Sequence, residues 1–116
     1  MIKNMIVLVP FPFDDLTSTK IRPVVCLTDR IGPHNHVVVT FITSKIPADL
    51  LDTDIVIEES TCNDFQQTGL KVSSTIRLHR MMTIAASMIR RELGRLPENL
   101  NAEIDDRLVK LFKLKR

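Results

Sequence analysis

The sequence predicts a small, mainly β domain: a strongly bent antiparallel sheet or barrel of short strands, finished by one C-terminal helix. Three observations lead there. Short apolar and β-branched runs at residues 5–9, 24–28, 36–43 and 54–58 alternate with turn signals. Near the C-terminus, Leu100, Ile104, Leu108, Leu111 and Phe112 recur at three- and four-residue spacing, the period of an amphipathic helix. The chain has 116 residues, enough for one hydrophobic core and too few for two, so residues 1–116 are expected to form one domain. Its 44% apolar and 26% charged residues are ordinary globular usage and exclude wholesale disorder or a fibrous repeat.

The first run, Met5 onward, ends in Pro10-Phe11-Pro12, a proline density compatible with a strand end or edge. A loop rich in Asp, Thr and Ser follows at 14–20. The second strand is expected at 24–28, directly after Pro23 and before the turn signal Gly32-Pro33-His34-Asn35. Residues 36–43, His-Val-Val-Val-Thr-Phe-Ile-Thr, are the densest β-branched stretch and suit a strand buried on both faces. Residues 54–58 alternate apolar and polar, as a half-exposed strand does. Residues 73–78 and 84–93 are two further strand candidates, the second interrupted by Ala85-Ala86 and partly helical in character. The helix is expected over 99–114, with Pro97 and Asn99 or Asn101 as start signals and Lys110, Lys113, Lys115 and Arg116 complementing its negative end.

Cys26 and Cys62 lack CxxC spacing, which speaks for free thiols, the first buried in a strand. No apolar run reaches the roughly 18–20 residues of a membrane span, and the first residues lack signal-peptide character, so a cytoplasmic location is expected. Net charge is +2, far from the strongly basic balance of a dedicated nucleic-acid binder. The distribution is more informative. Six acids and no Lys or Arg lie between 49 and 64, whereas Lys71, Arg77, Arg80, Arg90, Arg91 and Arg95 face Glu92 alone between 65 and 96.

Phosphate-loop, dinucleotide, zinc-protease and nucleophile-elbow motifs are absent. His34-Asn35-His36 sits in a turn without a third ligand, and the acidic pairs lack a calcium-loop register, so no metal and no cofactor are expected. What remains is a set of polar residues at strand ends: Lys20 and Arg22, Thr43 and Ser44, then Ser74, Arg77 and His79. Strand ends converge in a small barrel. Chemically, the set holds what RNA cleavage without a metal needs: a proton acceptor for the 2′-hydroxyl, cations for the phosphorane and a proton donor for the leaving oxygen. Imidazole exchanges protons near neutral pH, which suits His79, and forked guanidinium donors suit Arg22 and Arg77, with Thr43 as a hydrogen-bond donor. The same residues also fit bland roles as solvated strand-end charges and local backbone partners.

At these positions the chain resembles MazF/PemK-type toxins. The stretch Ile6-Val7-Leu8-Val9-Pro10-Phe11-Pro12-Phe13-Asp14-Asp15, the step Lys20-Ile21-Arg22-Pro23, the strand end Phe41-Ile42-Thr43-Ser44 and the run Ser73-Ser74-Thr75-Ile76-Arg77 occur in that family's order, as do Thr83-Ile84, Leu93-Gly94-Arg95-Leu96 and the last helix. The resemblance implies an SH3-like barrel, usually homodimeric. It implies a ribosome-independent, metal-free endoribonuclease that cuts single-stranded RNA at short sequences and leaves 2′,3′-cyclic phosphate and 5′-hydroxyl ends. It also implies a toxin held silent by a cognate antitoxin. Arg22 would then be the catalytic arginine, Thr43 its hydroxyl partner and Arg77 a second arginine. His79 stands where such members carry an acidic base.

The loop 13–21, with Thr17, Ser18, Thr19 and Lys20, would flank the RNA, joined by Ser44 and Ser74, and would receive the antitoxin. Asn4-Met5 replaces the family's Gly-Asp, and Pro10 replaces an acidic residue before Phe-Pro-Phe. Two other classes remain open: a non-catalytic barrel related to gyrase poisons, disfavoured by the absence of Trp, and a silent RNA binder, disfavoured by few aromatic residues.

Overall fold

The computed structural model describes residues 1–11 and 20–115. Six strands, β1 (Met5–Phe11), β2 (Lys20–Cys26), β3 (His36–Thr43), β4 (Asp54–Ile57), β5 (Ser74–Ala85) and β6 (Arg91–Arg95), precede the helix α1 (Glu98–Phe112). All strand pairs are antiparallel. They form one sheet in the order β4-β5-β3-β2-β1-β6, curled into a half-barrel, in agreement with the mainly β expectation. No helix among the described residues is long and apolar enough to cross a membrane.

The boundaries differ from expectation where proline is concerned. The second strand begins at Lys20 rather than 24 and runs through Pro23. Pro23 pairs with Leu8 of β1, while the ladder to β3 starts only at Val24, so the proline sits where one flank of the strand is open. Pro10 obeys the same logic: it pairs with Ile21 beyond the end of the β1–β6 ladder. Asn4, where the resemblance expects glycine, takes a left-handed φ of 72°. Its short amide side chain tolerates that conformation, and its backbone ties Cys26 to Leu96.

The half-exposed character expected of the fourth strand does not hold. Asp54, Ile55 and Ile57 are all buried, because the two isoleucines face the first core and Arg77 meets the acidic residue on the other side. The two later strand candidates are also corrected: residues 74–85 form one twelve-residue strand, followed by a 3-10 turn (Ala86–Met88) and then β6. Inside β5 the register to β3 jumps from Phe41↔Arg77 to Thr40↔Met81, leaving Leu78, His79 and Arg80 as an insertion. Three extra residues, an odd number, reverse the alternation of side chains. Ile76 and Leu78 therefore join one core, whereas Met82 and Ile84 join the other. One strand thus serves both faces.

The first core joins Ile6, Val25, Ile42, Ile55, Ile57 and Ile76 to Phe65, Leu96, Leu100 and Ile104, so α1 and the 3-10 turn Phe65–Thr68 close that face. The second joins Ile2, Val7, Val9, Val24, Cys26, Val37, Val39 and Ile84 on the opposite face. In α1, Leu108 and Leu111 pack against the first core, but Phe112 is 56% exposed, so the apolar stripe ends a residue earlier than its spacing suggests. Pro97 caps the start, and Lys113, at φ 53°, ends the helix. Cys26 is a free, buried thiol, and burial pushes its pKa up to about 11; Cys62 is also free.

Gly94 is where β6 meets the 3-10 turn. A Cβ there would overlap the carbonyl groups of Gln67 and Thr68, which are backbone and cannot swing aside. Gly94→Ala is therefore expected to destabilise the fold by roughly 1–3 kcal/mol, the usual cost of overpacking. Thermal denaturation of the variant, with a transition equal to that of the parent, would show the approach to be slack.

Candidate active site

Alternation along three adjacent strands decides what meets what. Val24 stands opposite Phe41, and Phe41 opposite Arg77. Two residues beyond Val24 is Arg22, and two beyond Phe41 is Thr43, so Arg22, Thr43 and Arg77 lie on one face of the β2-β3-β5 sheet. His79 follows within the unpaired β5 insertion, two residues past Arg77, where it is exposed, while Leu78 between them turns into the first core. This face is the polar continuation of the second core. Directly opposed side chains in a sheet are about 5 Å apart at Cβ and diagonal ones about 7–8 Å, close enough for several groups to reach one phosphodiester.

Arg77 does not extend freely from this face. Its Nε and Nη2 donate to the two carboxylate oxygens of Asp54 at 3.2 and 3.1 Å. The Asp54 side chain is only 1% exposed and also accepts from the Leu51 amide at 2.9 Å. From the helix side, Arg107 donates to the backbone carbonyl of Asp52 and is itself held by Glu103 at 3.2 Å. A chain of contacts thus runs from α1 through the start of β4 to Arg77. On the other flank, the buried Thr40 hydroxyl donates to the Arg77 carbonyl at 2.9 Å, bracing the insertion that carries His79. Arg80 lies over the Phe41 ring at 4.8 Å from its centroid and adds another cation beside the site.

The residues expected to bind RNA divide. Lys20 is exposed and shares the parity of Arg22, hence its face. Ser44 and Ser74 instead line a cavity of about 370 Å³ whose walls include Leu8, Pro23 and Ile42, residues of opposite parity. Arg22 borders this cavity as well, so it stands between the two surfaces. Thr17, Ser18 and Thr19 lie outside the described residues. His34 and His36 are exposed in their turn, with ring centroids 5.8 Å apart. Among the described residues, no three His, Cys, Asp or Glu side chains gather in a metal-binding group.

A family model described as "PemK-like, MazF-like toxin of type II toxin-antitoxin system" matches residues 3–112. The chain belongs to that family. PemK/MazF toxins are an endoribonuclease family. Among solved structures, the Mycobacterium tuberculosis toxin MazF-mt6 superposes with a TM-score of 0.73 at 22% identity, covering 97% of this chain and 99% of that one. A mycobacterial endoribonuclease in complex with its cognate antitoxin superposes at 0.72 with 12% identity, covering 100% and 98%. Both likenesses are of fold. No curated protein sequence matches the chain.

Four residues of this family member that its sequence does not single out take part in the surroundings of the candidate site or its cavity. Asp54, one of the acids without a calcium-loop register, gives no local sign of its partner, because Arg77 lies on a strand 23 positions away. Thr40 lies within the β-branched run 36–43, and nothing local signals that its hydroxyl reaches the Arg77 carbonyl at the insertion. Lys71 and Arg91, both lining the cavity, were visible only as members of a basic stretch.

Proposed function

We propose that this PemK/MazF-family chain is a metal-independent, sequence-selective endoribonuclease. It cleaves single-stranded RNA to 2′,3′-cyclic phosphate and 5′-hydroxyl ends and acts as the toxin of a type II module. The supporting observation is the shared face of Arg22, Thr43 and Arg77, with the exposed His79 two residues further along β5. On this reading the RNA 2′-oxygen attacks the adjacent phosphorus as its proton passes to His79. Arg22 and Arg77 stabilise the added negative charge, with Thr43 donating to a phosphoryl oxygen. The bond to the 5′-oxygen then breaks, and that oxygen takes a proton from water hydrogen-bonded to the Arg22 guanidinium while His79 gives its proton back to solvent, leaving the cyclic phosphate and a free 5′-hydroxyl.

Function as a toxin requires a cytoplasmic location, where messenger RNA is the substrate, and a cognate antitoxin to hold it silent. The solved relative seated on its own antitoxin supports such a partner. A homodimer completes the reading. The test is incubation of the purified protein with a defined single-stranded RNA in EDTA, followed by mapping of the ends. Cyclic phosphates opposite 5′-hydroxyl ends are expected. RNA left intact under these conditions, but bound, would point to a silent binder.

A further inference from the structure

The cavity beside the proposed centre has a composition that the cleavage chemistry does not use. Leu8, Pro23, Ile42 and Leu93 form an apolar wall, and Lys71 and Arg91 stand at its rim. Both cations are exposed, and neither forms an ion pair among the described residues. Ser74 is buried and donates its proton to the Val72 carbonyl at 2.9 Å, which leaves its oxygen to accept from a ligand; the exposed Ser44 hydroxyl is a second polar group on the wall. An apolar wall with a few polar groups and two exposed cations fits a planar heterocycle joined to an anion. A volume of about 370 Å³ encloses one such unit rather than a folded segment.

We propose that this cavity seats one RNA nucleotide flanking the scissile phosphate, with its base on the apolar wall and its phosphate between Lys71 and Arg91. Arg22 links the two places, because it borders the cavity and shares the face of Thr43. The assignment rests on the endoribonuclease reading and adds to it a subsite that contributes to binding and to choice of sequence, not to the chemical step.

The probe is a fluorescent single-stranded oligoribonucleotide carrying 2′-O-methyl groups throughout, so that no nucleophile is present. Against the parent, Lys71→Gln/Arg91→Gln is expected to bind about tenfold more weakly. It is also expected to lower the slope of log affinity against log salt by about 0.7, the contribution of one single-strand phosphate that is no longer neutralised. With cleavable RNA at saturation, kcat is expected to stay within about threefold while KM rises. Replacing flanking nucleotides one at a time by abasic residues is expected to weaken binding to the parent at one position.

A double variant with unchanged affinity and salt slope, alongside a cleaving parent, overturns the subsite and leaves the nuclease reading standing. Binding of an oligo-glutamate peptide with no binding of the oligonucleotide overturns it in favour of a protein ligand. A parent that binds the probe through these residues yet never cleaves RNA removes the nuclease reading and, with it, the subsite as one that flanks a scissile phosphate, leaving only a nucleotide-binding cavity.

Discussion

Arg22→Ala is expected to lower the rate of RNA cleavage by roughly a hundredfold to a thousandfold, the cost of losing one donor aimed at transition-state charge. The fold should survive. Arg22 lies near the start of β2, where only β1 is paired with the strand, and it makes no contribution to either apolar cluster. Circular dichroism and a thermal transition close to the parent's would establish that the loss is chemical. Arg22→Lys separates charge from geometry: an ammonium keeps the cation but loses the planar fork, so only a small part of the rate is expected to return. Cleavage at the parental rate by the alanine variant would remove Arg22 from the centre and, with it, the reason for placing the reaction on this face.

Arg77→Met is expected to act first on stability. It leaves the Asp54 carboxylate, 1% exposed, without its cation, and breaking a buried pair from one side costs about 3 kcal/mol; the partial exposure of Arg77 favours the lower end of the usual range. Adding Asp54→Asn removes the stranded charge while keeping an acceptor for the Leu51 amide, and is expected to recover at least about 1 kcal/mol. Urea denaturation of the single and double variants measures both numbers. Measured below the melting range, kcat/KM of Arg77→Met is expected to fall about tenfold, far less than for Arg22→Ala, because two of the guanidinium donors already serve Asp54. If Arg77→Met unfolds at the parental urea concentration, the ion pair is not a structural link between β4 and β5.

These two arginines differ in how much of their setting is written locally in the chain. Arg22 precedes Pro23, and the run from Phe41 to Ser44 ends a β-branched strand, so both strand ends and their polar residues are visible locally. The helix is visible for the same reason: its period is written in consecutive residues. The pairing of Arg77 with Asp54 is not, because the two are 23 positions apart and meet only through the β4–β5 register. The single long β5 was also hidden, since its insertion at Leu78-His79-Arg80 resets the alternation that would have marked it as one strand.

Strand type, the terminal helix and the candidate groups follow from short-range chemistry: branched side chains, prolines and a three-to-four spacing act within a few residues. Which of those groups become neighbours is a long-range matter. Hydrogen-bonded register sends Thr43 to one side of the sheet and Ser44 to the other, although they are adjacent in the chain, and it brings Arg22 and Arg77, 55 positions apart in the chain, to a common side. A pleated backbone reverses side-chain direction at every step, so a register, once set by the packing of two cores, decides the site.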